Sequence, residues 1–255
     1  ITKTPYRISF FGGGSDYPEW YKKFNGSVLS TTIDKHIYIT CRHLPNFFDH
    51  KYRITWSKLE TVKNIEQIQH KAVKALLKKF KIKNGLEIHY DGDLPARSGI
   101  GSSSSFTTGV IKAIHEYKKI KINKYSLAKK TINFEQNIIK ENVGSQDQIF
   151  ASYGGFNQIN FNKDNFKVNK LNIETNTIKQ IERNMILVFT GKYRNSGDIE
   201  KVKINNMDKT INHYHNIKSL VYEFKKILKK EKNLDQIGYL LNEYWNIKKS
   251  LTNKV

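Results

Sequence analysis

Between an expected strand and an expected helix, the chain reads Leu94-Pro95-Ala96-Arg97-Ser98-Gly99-Ile100-Gly101-Ser102-Ser103-Ser104-Ser105-Phe106. Its two glycines allow the backbone to turn sharply and to approach a ligand closely. The helix start presents unpaired N–H groups and a positive partial charge, and the serine hydroxyls add further donors. The segment therefore predicts a phosphate-binding loop. The alternative is a plain helix cap, and no Gly-Lys-Ser/Thr follows that would make it a Walker A loop.

Apolar periodicity on both sides of this loop predicts a mixture of strands and helices. Strands are expected at Tyr6–Phe11, Val28–Ile33, His36–Cys41, Tyr52–Trp56, Leu86–Tyr90, Phe156–Phe161 and Met185–Thr190. Helices are expected from Ile68 to Phe80, after Gly101, after a cap at Ser126, and from about Lys209 onward. The second and third strands are interpreted as a hairpin or as adjacent strands. Since the elements do not alternate strictly, the predicted fold class is α+β rather than a doubly wound sheet.

Composition narrows the classes of function. The 255 residues carry a formal net charge of +21, which favours acidic partners such as phosphorylated small molecules. The lysines lie mostly on the polar sides of amphipathic segments, and no basic patch with interleaved aromatics stands out, so no nucleic-acid partner is expected. Cys41 is the only cysteine, and no apolar run of about 18 residues occurs. A cytoplasmic protein without a membrane partner is therefore predicted.

Two further segments could carry chemistry. In the first, Arg7 precedes Gly12-Gly13-Gly14-Ser15-Asp16-Tyr17, where Asp16 could accept hydrogen bonds from sugar hydroxyls or could close a tight turn. In the second, Glu135 lies on an expected helix, and Asp147 lies in the turn that contains Gly144-Ser145-Gln146. These carboxylates could bind a metal or take a proton, or they could be a surface glutamate and a helix-capping aspartate. Taken singly, neither segment decides between these roles.

In this order, the three segments resemble the GHMP kinases, the family of galactokinase, homoserine kinase, mevalonate kinase and phosphomevalonate kinase. Pro95–Ser105 resembles the family's Pro-x-x-x-Gly-Leu-Gly-Ser-Ser-x phosphate loop, with Ile100 in the Leu place. Gly12–Pro18 and Glu141–Gln148, with Tyr153-Gly154-Gly155, are similar to the branch of bacterial D-glycero-D-manno-heptose 7-phosphate kinases. The resemblance spans essentially the whole chain.

The resemblance implies a fold and an activity. The fold would be an N-terminal ribosomal protein S5 domain 2-like half that binds ATP, residues 1–165, and a ferredoxin-like C-terminal half, residues 166–255. The activity would be that of an ATP- and Mg²⁺-dependent sugar kinase. It would phosphorylate the anomeric hydroxyl of D-glycero-D-manno-heptose 7-phosphate to the 1,7-bisphosphate, for nucleotide-activated heptose and surface polysaccharide synthesis.

The resemblance also implies roles for individual residues. Asp147 would be the catalytic base and Arg7 its charged neighbour, while Ser103 and Glu135 would bind Mg²⁺. The ATP phosphates would be bound by Pro95, Arg97, Ser98, Gly99, Ile100, Gly101, Ser102, Ser103 and Ser104. The sugar phosphate would be bound by Gly12, Gly13, Gly14, Ser15, Asp16, Tyr17, Gly144 and Gln146. Lys192 and Arg194 follow the last expected strand and are either cations for the distal phosphate of the sugar or solvated loop charges.

Two departures from the family pattern bear on these expectations. Gly13 and Gly14 stand where galactokinase-like members carry side chains, which would leave room for a larger sugar. The family's third glycine-rich motif does not occur before Val255, so the C-terminal half is expected to be incomplete. The alternatives are another GHMP sugar 1-kinase, fucokinase-like or galactokinase-like, and a non-catalytic regulator that binds a sugar or a nucleotide. Whether the chain forms a homo-oligomer is left open.

Overall fold

The computed structural model describes residues 1–96, 98–188, 191, 202, 204, 206–230 and 234–251. Three of the predicted site residues, Arg97, Lys192 and Arg194, lie outside this set. The helices and strands are, in chain order, β1 (Thr2–Phe11), α1 (Pro18–Phe24), β2 (Gly26–His43), β3 (Tyr52–Thr55), β4 (Leu59–Val62), α2 (Lys71–Lys79), β5 (Leu86–Gly92), α3 (Ser102–Tyr117), α4 (Lys124–Asn133), α5 (Gln146–Tyr153), β6 (Phe156–Phe161), β7 (Phe166–Lys170), α6 (Thr175–Arg183), α7 (Ile211–Lys230) and α8 (Asp235–Ser250). A π-helical turn, Phe134–Ile138, follows α4 directly.

The chain forms two compact units. Unit 1 consists of Ile1–Arg7, Thr32–Glu141 and Asp147–Gly154, and unit 2 consists of Ile8–Thr31, Asn142–Gln146 and Gly155–Val255. The chain therefore passes from one unit to the other directly after Arg7 and directly before Asp147. The predicted division into residues 1–165 and 166–255 stays a prediction.

Unit 1 combines strands β4, β3, β5 and the second half of β2 with helices α2, α3 and α4. The strands lie in the order β4-β3-β5-β2; β5 is antiparallel to β2 and parallel to β3. Alternate strand residues such as Ile39, Ile54 and Ile88 are buried in one apolar core with Val110 and Ile114 of α3. This core fixes the start of α3, which carries the predicted phosphate loop.

Unit 2 combines the first half of β2 with β6 and β7, both pairings being antiparallel. Its core is largely aromatic: Phe11 packs against Phe224 and Tyr244, and Trp20 stacks on Tyr214. These contacts join β1 and α1 to α7 and α8. They also hold the glycine-rich segment between β1 and α1 against the two C-terminal helices.

Most predicted elements are confirmed, among them β1, β5, α2, α3, β6 and the helices after Lys209. The interpretation of Val28–Ile33 and His36–Cys41 as a hairpin or as two adjacent strands is wrong, because β2 continues through the polar residues Asp34 and Lys35 as one strand. Residues up to Thr31 pair with β6, whereas residues from Ile37 onward pair with β5. The strand is extended by its two different partners, which its local sequence does not reveal.

Two smaller predictions fail. The cap of α4 is Asn123 and not Ser126, since the Asn123 side chain accepts a hydrogen bond from the Ser126 N–H at 2.8 Å. Of the strand expected at Met185–Thr190, the part that the structure describes, Met185–Val188, is exposed and not in a strand. No helix in the described part of the chain is long and apolar enough to cross a membrane.

Candidate active site

The predicted phosphate loop joins β5 to α3. Gly99 and Gly101 both have a φ of 77°, in the left-handed region that favours glycine. Gly101 is the N-cap of α3, so the backbone N–H groups of the first helical turn begin at Ser102. Together with the helix dipole, these N–H groups form a site suited to an anion.

Arg7 connects this loop to Asp147 within unit 1. Its Nε and Nη2 donate to the two carboxylate oxygens of Asp147, at 2.7 and 2.8 Å. Its Nη1 donates to the Gly99 carbonyl oxygen at 2.9 Å, and its backbone N–H donates to the Ile100 oxygen at 3.1 Å. The pair is partly accessible, with 14% and 24% of the two side chains exposed. Such a fork-to-fork pair fixes the orientation of a carboxylate more strictly than a single contact does.

Gly101 allows this pair to lie against the helix start. A Cβ atom at Gly101 would be 3.3 Å from Arg7 Cγ and 3.3 Å from Asp147 Oδ2, closer than side chains normally approach. At Gly99, by contrast, a Cβ atom would have no neighbour within 4 Å. The loop thus places Asp147, in the first turn of α5, directly beside Gly101 at the start of α3.

The four serines after Gly101 have different environments. Ser104 Oγ donates to Glu135 Oε2 at 2.8 Å, and Ser105 Oγ donates to the Pro5 oxygen at 2.7 Å. Ser102 is buried, whereas Ser103 is exposed. The predicted Mg²⁺ ligands Ser103 and Glu135 are therefore not hydrogen-bonded to each other. The hydroxyl that meets the carboxylate belongs to Ser104.

Glu135 lies in the π-helical turn and is fully buried. Burial raises the pKa of Glu135 to about 7, while hydrogen bonds from Ser104 and Gln148 act in the opposite direction. π-Helical turns inside helices are frequent at functional sites. Gln148, which follows Asp147 by one residue and donates to Glu135 Oε2, was not singled out from the sequence. No local pattern marks it, because its contact is with a residue 13 positions away.

The surroundings of Glu135 fit a magnesium ion on one side. Within the described residues, Glu135 Oε1 and Gln148 Oε1 are buried and have no hydrogen-bond partner. Carboxylate and amide oxygens are the hard ligands that Mg²⁺ accepts, usually together with substrate phosphates and water. No group of three His, Cys, Asp or Glu side chains that could hold a metal is found in the described part of the chain. The ion would thus depend on phosphate oxygens for much of its coordination.

The glycines of the predicted sugar loop, Gly12-Gly13-Gly14, are not equivalent. A Cβ at Gly12 would lie 2.1 Å from the Ser27 oxygen, and one at Gly14 would lie 2.8 Å from Tyr214 Cε1. The room predicted at Gly14 is therefore taken by the Tyr214 ring. Gly13 differs, since a Cβ atom there would have polar neighbours: Tyr244 Oη at 3.1 Å, with Gln146 Nε2 and Lys248 Nζ both at 3.4 Å.

The polar residues of this loop stabilise its shape. Asp16 is only 1% exposed, and its carboxylate accepts hydrogen bonds from the backbone N–H groups of Gly14 and Gln146. Ser15 is fully buried and bonds the Gly12 oxygen at 2.8 Å, and Tyr17 belongs to the apolar core of unit 2. In this structure, the Asp16 oxygens are used by the chain's own backbone.

Gly144 and Gln146 lie against the same loop. A Cβ at Gly144 would be 2.0 Å from Asp16 Oδ2, so only glycine fits there. Gln146 Oε1 accepts hydrogen bonds from Ser9 at 2.9 Å and Ser30 at 3.4 Å, which directs its amide nitrogen towards Gly13. The structure therefore brings the two predicted sugar-binding segments together within unit 2.

Tyr244 and Lys248 of α8 also reach this loop, and sequence reasoning missed both. Tyr244 Oη donates to the Gly13 oxygen at 3.2 Å, across 231 positions of the chain. Their spacing of four residues marks one helix face. It does not indicate which segment of the chain that face contacts.

Two predicted residues of the phosphate loop remain to be placed. Ser98 Oγ donates to the Pro95 oxygen at 2.7 Å, while Arg97 lies outside the described residues.

Comparison with known proteins gives a consistent result. Residues 67–155 match the model for the GHMP kinases N terminal domain. The chain is 29% identical over 266 residues to D-glycero-alpha-D-manno-heptose 7-phosphate kinase of Campylobacter jejuni subsp. jejuni serotype O:2, covering 98% of this chain and 77% of that protein.

Solved structures share the fold. A D-glycero-D-manno-heptose 1-phosphate kinase from Bacteroides thetaiotaomicron superposes with a TM-score of 0.81 at 24% identity, over 97% of this chain and 78% of that chain. Streptococcus pneumoniae phosphomevalonate kinase, in complex with phosphomevalonate and AMPPNP, superposes with a TM-score of 0.71 at 12% identity, over 100% and 81%. The α+β prediction is confirmed. The match of residues 67–155 to the GHMP kinases N terminal domain and the similarity to named kinases support a phosphotransferase that acts on a sugar.

Proposed function

We propose that this chain is a sugar kinase that uses ATP and Mg²⁺ to phosphorylate the anomeric hydroxyl of D-glycero-D-manno-heptose 7-phosphate, giving the 1,7-bisphosphate. The name of the similar Campylobacter jejuni protein, a heptose 7-phosphate kinase, supports the substrate class. The division into an ATP-binding half, residues 1–165, and a second half, residues 166–255, is part of the same proposal.

The Arg7–Asp147 pair beside the phosphate loop is the observation that carries this proposal. Phosphoryl transfer requires a positioned hydroxyl and neutralisation of charge more than it requires covalent chemistry. Asp147 would accept the proton of the attacking hydroxyl, or would orient that hydroxyl. Arg7 holds the carboxylate by two hydrogen bonds and the loop by a third, at 2.7, 2.8 and 2.9 Å. A base is thereby kept at a fixed position relative to bound phosphates.

The nucleotide would be bound by the turn around Gly99 and by the first N–H groups of α3. Mg²⁺, when bound, would neutralise charge on the β- and γ-phosphates. Glu135 and Gln148 offer buried oxygens for it, and the exposed Ser103 hydroxyl remains the predicted additional ligand. Lys192 and Arg194 remain proposed cations for the distal phosphate.

The decisive test is ATP-dependent phosphorylation of heptose 7-phosphate, with the position of the new phosphate read by NMR. A panel of free sugars and sugar phosphates run in parallel would reveal a different GHMP substrate. Formation of the 1,7-bisphosphate is expected. Absence of ATP-dependent transfer to every member of the panel would contradict the proposed function.

The role of Asp147 is tested by Asp147→Asn. Loss of a general base typically lowers turnover by about 10²- to 10⁴-fold, while nucleotide binding, measured by calorimetry, should change little. Asp208→Asn is the matched control, because Asp208 is an exposed carboxylate in a surface ion pair with Lys23. Equal turnover of the Asp147 variant and the control would exclude the catalytic role.

A further inference from the structure

Three polar side-chain groups from two separate segments, α8 and the start of α5, surround Gly13. They are Tyr244 Oη, Gln146 Nε2 and Lys248 Nζ, each within 3.4 Å of the position that a Cβ of Gly13 would occupy. Gly13 itself is buried in the described structure, and its N–H has no hydrogen-bond acceptor among the described residues. All of these groups belong to unit 2. Hydrogen-bond donors are therefore concentrated around Gly13, whose nearest neighbours are all polar side-chain atoms.

One contact that positions Lys248 lies within its own helix. Tyr244 precedes it by one turn, is buried in the core of unit 2, and donates to the Gly13 oxygen at 3.2 Å. The Lys248 ammonium lies over the Tyr244 ring, 4.9 Å from the ring centroid. A cation over an aromatic face is attracted by the ring, so the stem and head of the lysine are both positioned.

We propose that Lys248 is a specificity-determining residue that binds the phosphate of a phosphorylated sugar substrate, next to Gly13. The inference rests on the proposed function, and it adds Lys248 of α8 to the cations proposed for the distal phosphate, Lys192 and Arg194. An ammonium group recognises a phosphomonoester as a point charge. The neighbouring neutral donors, the Gln146 amide and the Gly13 N–H, suit the remaining phosphate oxygens or the sugar hydroxyls.

A purely structural role for Lys248 is the competing explanation. Lys248 and Lys249 are both basic residues of the last turn of α8, where cations stabilise the negative end of the helix dipole. Lys249 is exposed and lies over the ring of the exposed Trp245, 5.9 Å from its centroid. Lys249→Ala therefore removes the same charge from the same helix end without touching the loop, and it serves as the matched control.

The test compares the kinetics of the wild-type protein, Lys248→Ala, Lys248→Arg and Lys249→Ala. With heptose 7-phosphate, Lys248→Ala is expected to raise KM by about 10- to 100-fold, the range for loss of a charge-assisted hydrogen bond, with kcat within about threefold. Lys248→Arg should recover most of the loss, and Lys249→Ala should match the wild type. With the same heptose lacking the 7-phosphate, kcat/KM should be equal for all four proteins.

Binding is measured in parallel, so that failure of this inference can be separated from failure of the proposed function. Calorimetric titration with heptose 7-phosphate in the absence of ATP should show weaker binding for Lys248→Ala alone. If the wild-type protein transfers no phosphate to any sugar but this difference in binding persists, the contact between Lys248 and the phosphate is supported and the proposed reaction is contradicted. An equal effect of Lys248→Ala on both sugars, or no effect on either, would overturn the assignment of Lys248.

Discussion

Replacing Glu135 by Gln should change how the stability of the protein depends on pH. Glu135 is fully buried, and its pKa in the folded protein is raised from 4.5 to about 7. The folded state therefore holds the proton more tightly than the unfolded chain does. The resulting stabilisation is fully present below pH 4.5 and is lost as the pH rises to about 7. Glutamine keeps the size of the side chain and cannot ionise.

The magnitude follows from the two pKa values. A difference of about 2.5 units corresponds to about 3.4 kcal/mol at 1.36 kcal/mol per unit. Between pH 5 and pH 8, the wild-type protein should lose about 2.5 kcal/mol of unfolding free energy through this one group. The free energy of unfolding of Glu135→Gln should lack this contribution. The variant should therefore gain stability relative to the wild type as the pH rises.

Urea unfolding at pH 5, 6, 7 and 8, without nucleotide and with a metal chelator, measures this effect. The relevant quantity is the difference in unfolding free energy between the two proteins at each pH. His70 and His115, whose pKa values are lowered by burial, titrate in both proteins and cancel in that difference. A difference that stays constant within about 0.5 kcal/mol from pH 5 to pH 8 would refute the reasoning.

Two glycine substitutions test the loops, each against a glycine with open surroundings. Gly101→Ala should lower turnover and cost about 1–3 kcal/mol of stability, because its Cβ would meet Asp147. Gly99→Ala has the same φ of 77° but no neighbour within 4 Å. It should share the backbone strain and lose less activity in the same kinetic assay; equal kinetic losses would contradict the role of Gly101 in placing Asp147. Gly144→Ala should lower the melting temperature strongly, because its Cβ would lie 2.0 Å from an Asp16 carboxylate oxygen. The helical control Gly238→Ala should raise the melting temperature slightly. A melting temperature of Gly144→Ala equal to that of the wild type would contradict the steric role of Gly144.

The sequence predicted the elements whose pattern is local. The strand β5, the glycine-rich turn and the helix α3 follow one another in the chain, and each has its own periodicity or turn residues. The strand β2 could not be predicted in full, because its polar middle resembles a turn. The strand continues through this polar middle because its first half pairs with β6 and its second half pairs with β5. The cap at Asn123 was missed because Asn and Ser are nearly equivalent as caps, and two of them stand three residues apart.

In the candidate site too, the residues that belong to local motifs could be predicted, whereas their long-range contacts could not. Arg7, Asp147 and the loop glycines were found from the order of three motifs. The bidentate geometry of Arg7 and Asp147, with distances of 2.7 and 2.8 Å, could not be predicted from the sequence, because it joins residues 140 positions apart. Lys248 and Tyr244 carry no motif at all. Only the packing of α8 within unit 2 brings them to Gly13.

The serine run shows how finely such roles depend on geometry. Consecutive residues of a helix differ in direction by about 100°, so the side chains of Ser103 and Ser104 point in different directions. Motif matching placed the metal-binding hydroxyl at Ser103, whereas the hydroxyl that meets Glu135 belongs to Ser104. The two assignments are compatible, because Ser104 fixes the carboxylate by hydrogen bonding, while Ser103, exposed at the start of α3, would be the hydroxyl offered to a bound ion. In the first turn of α3, Ser104 would then hold the Glu135 carboxylate in place, and the neighbouring Ser103 would face the ligand.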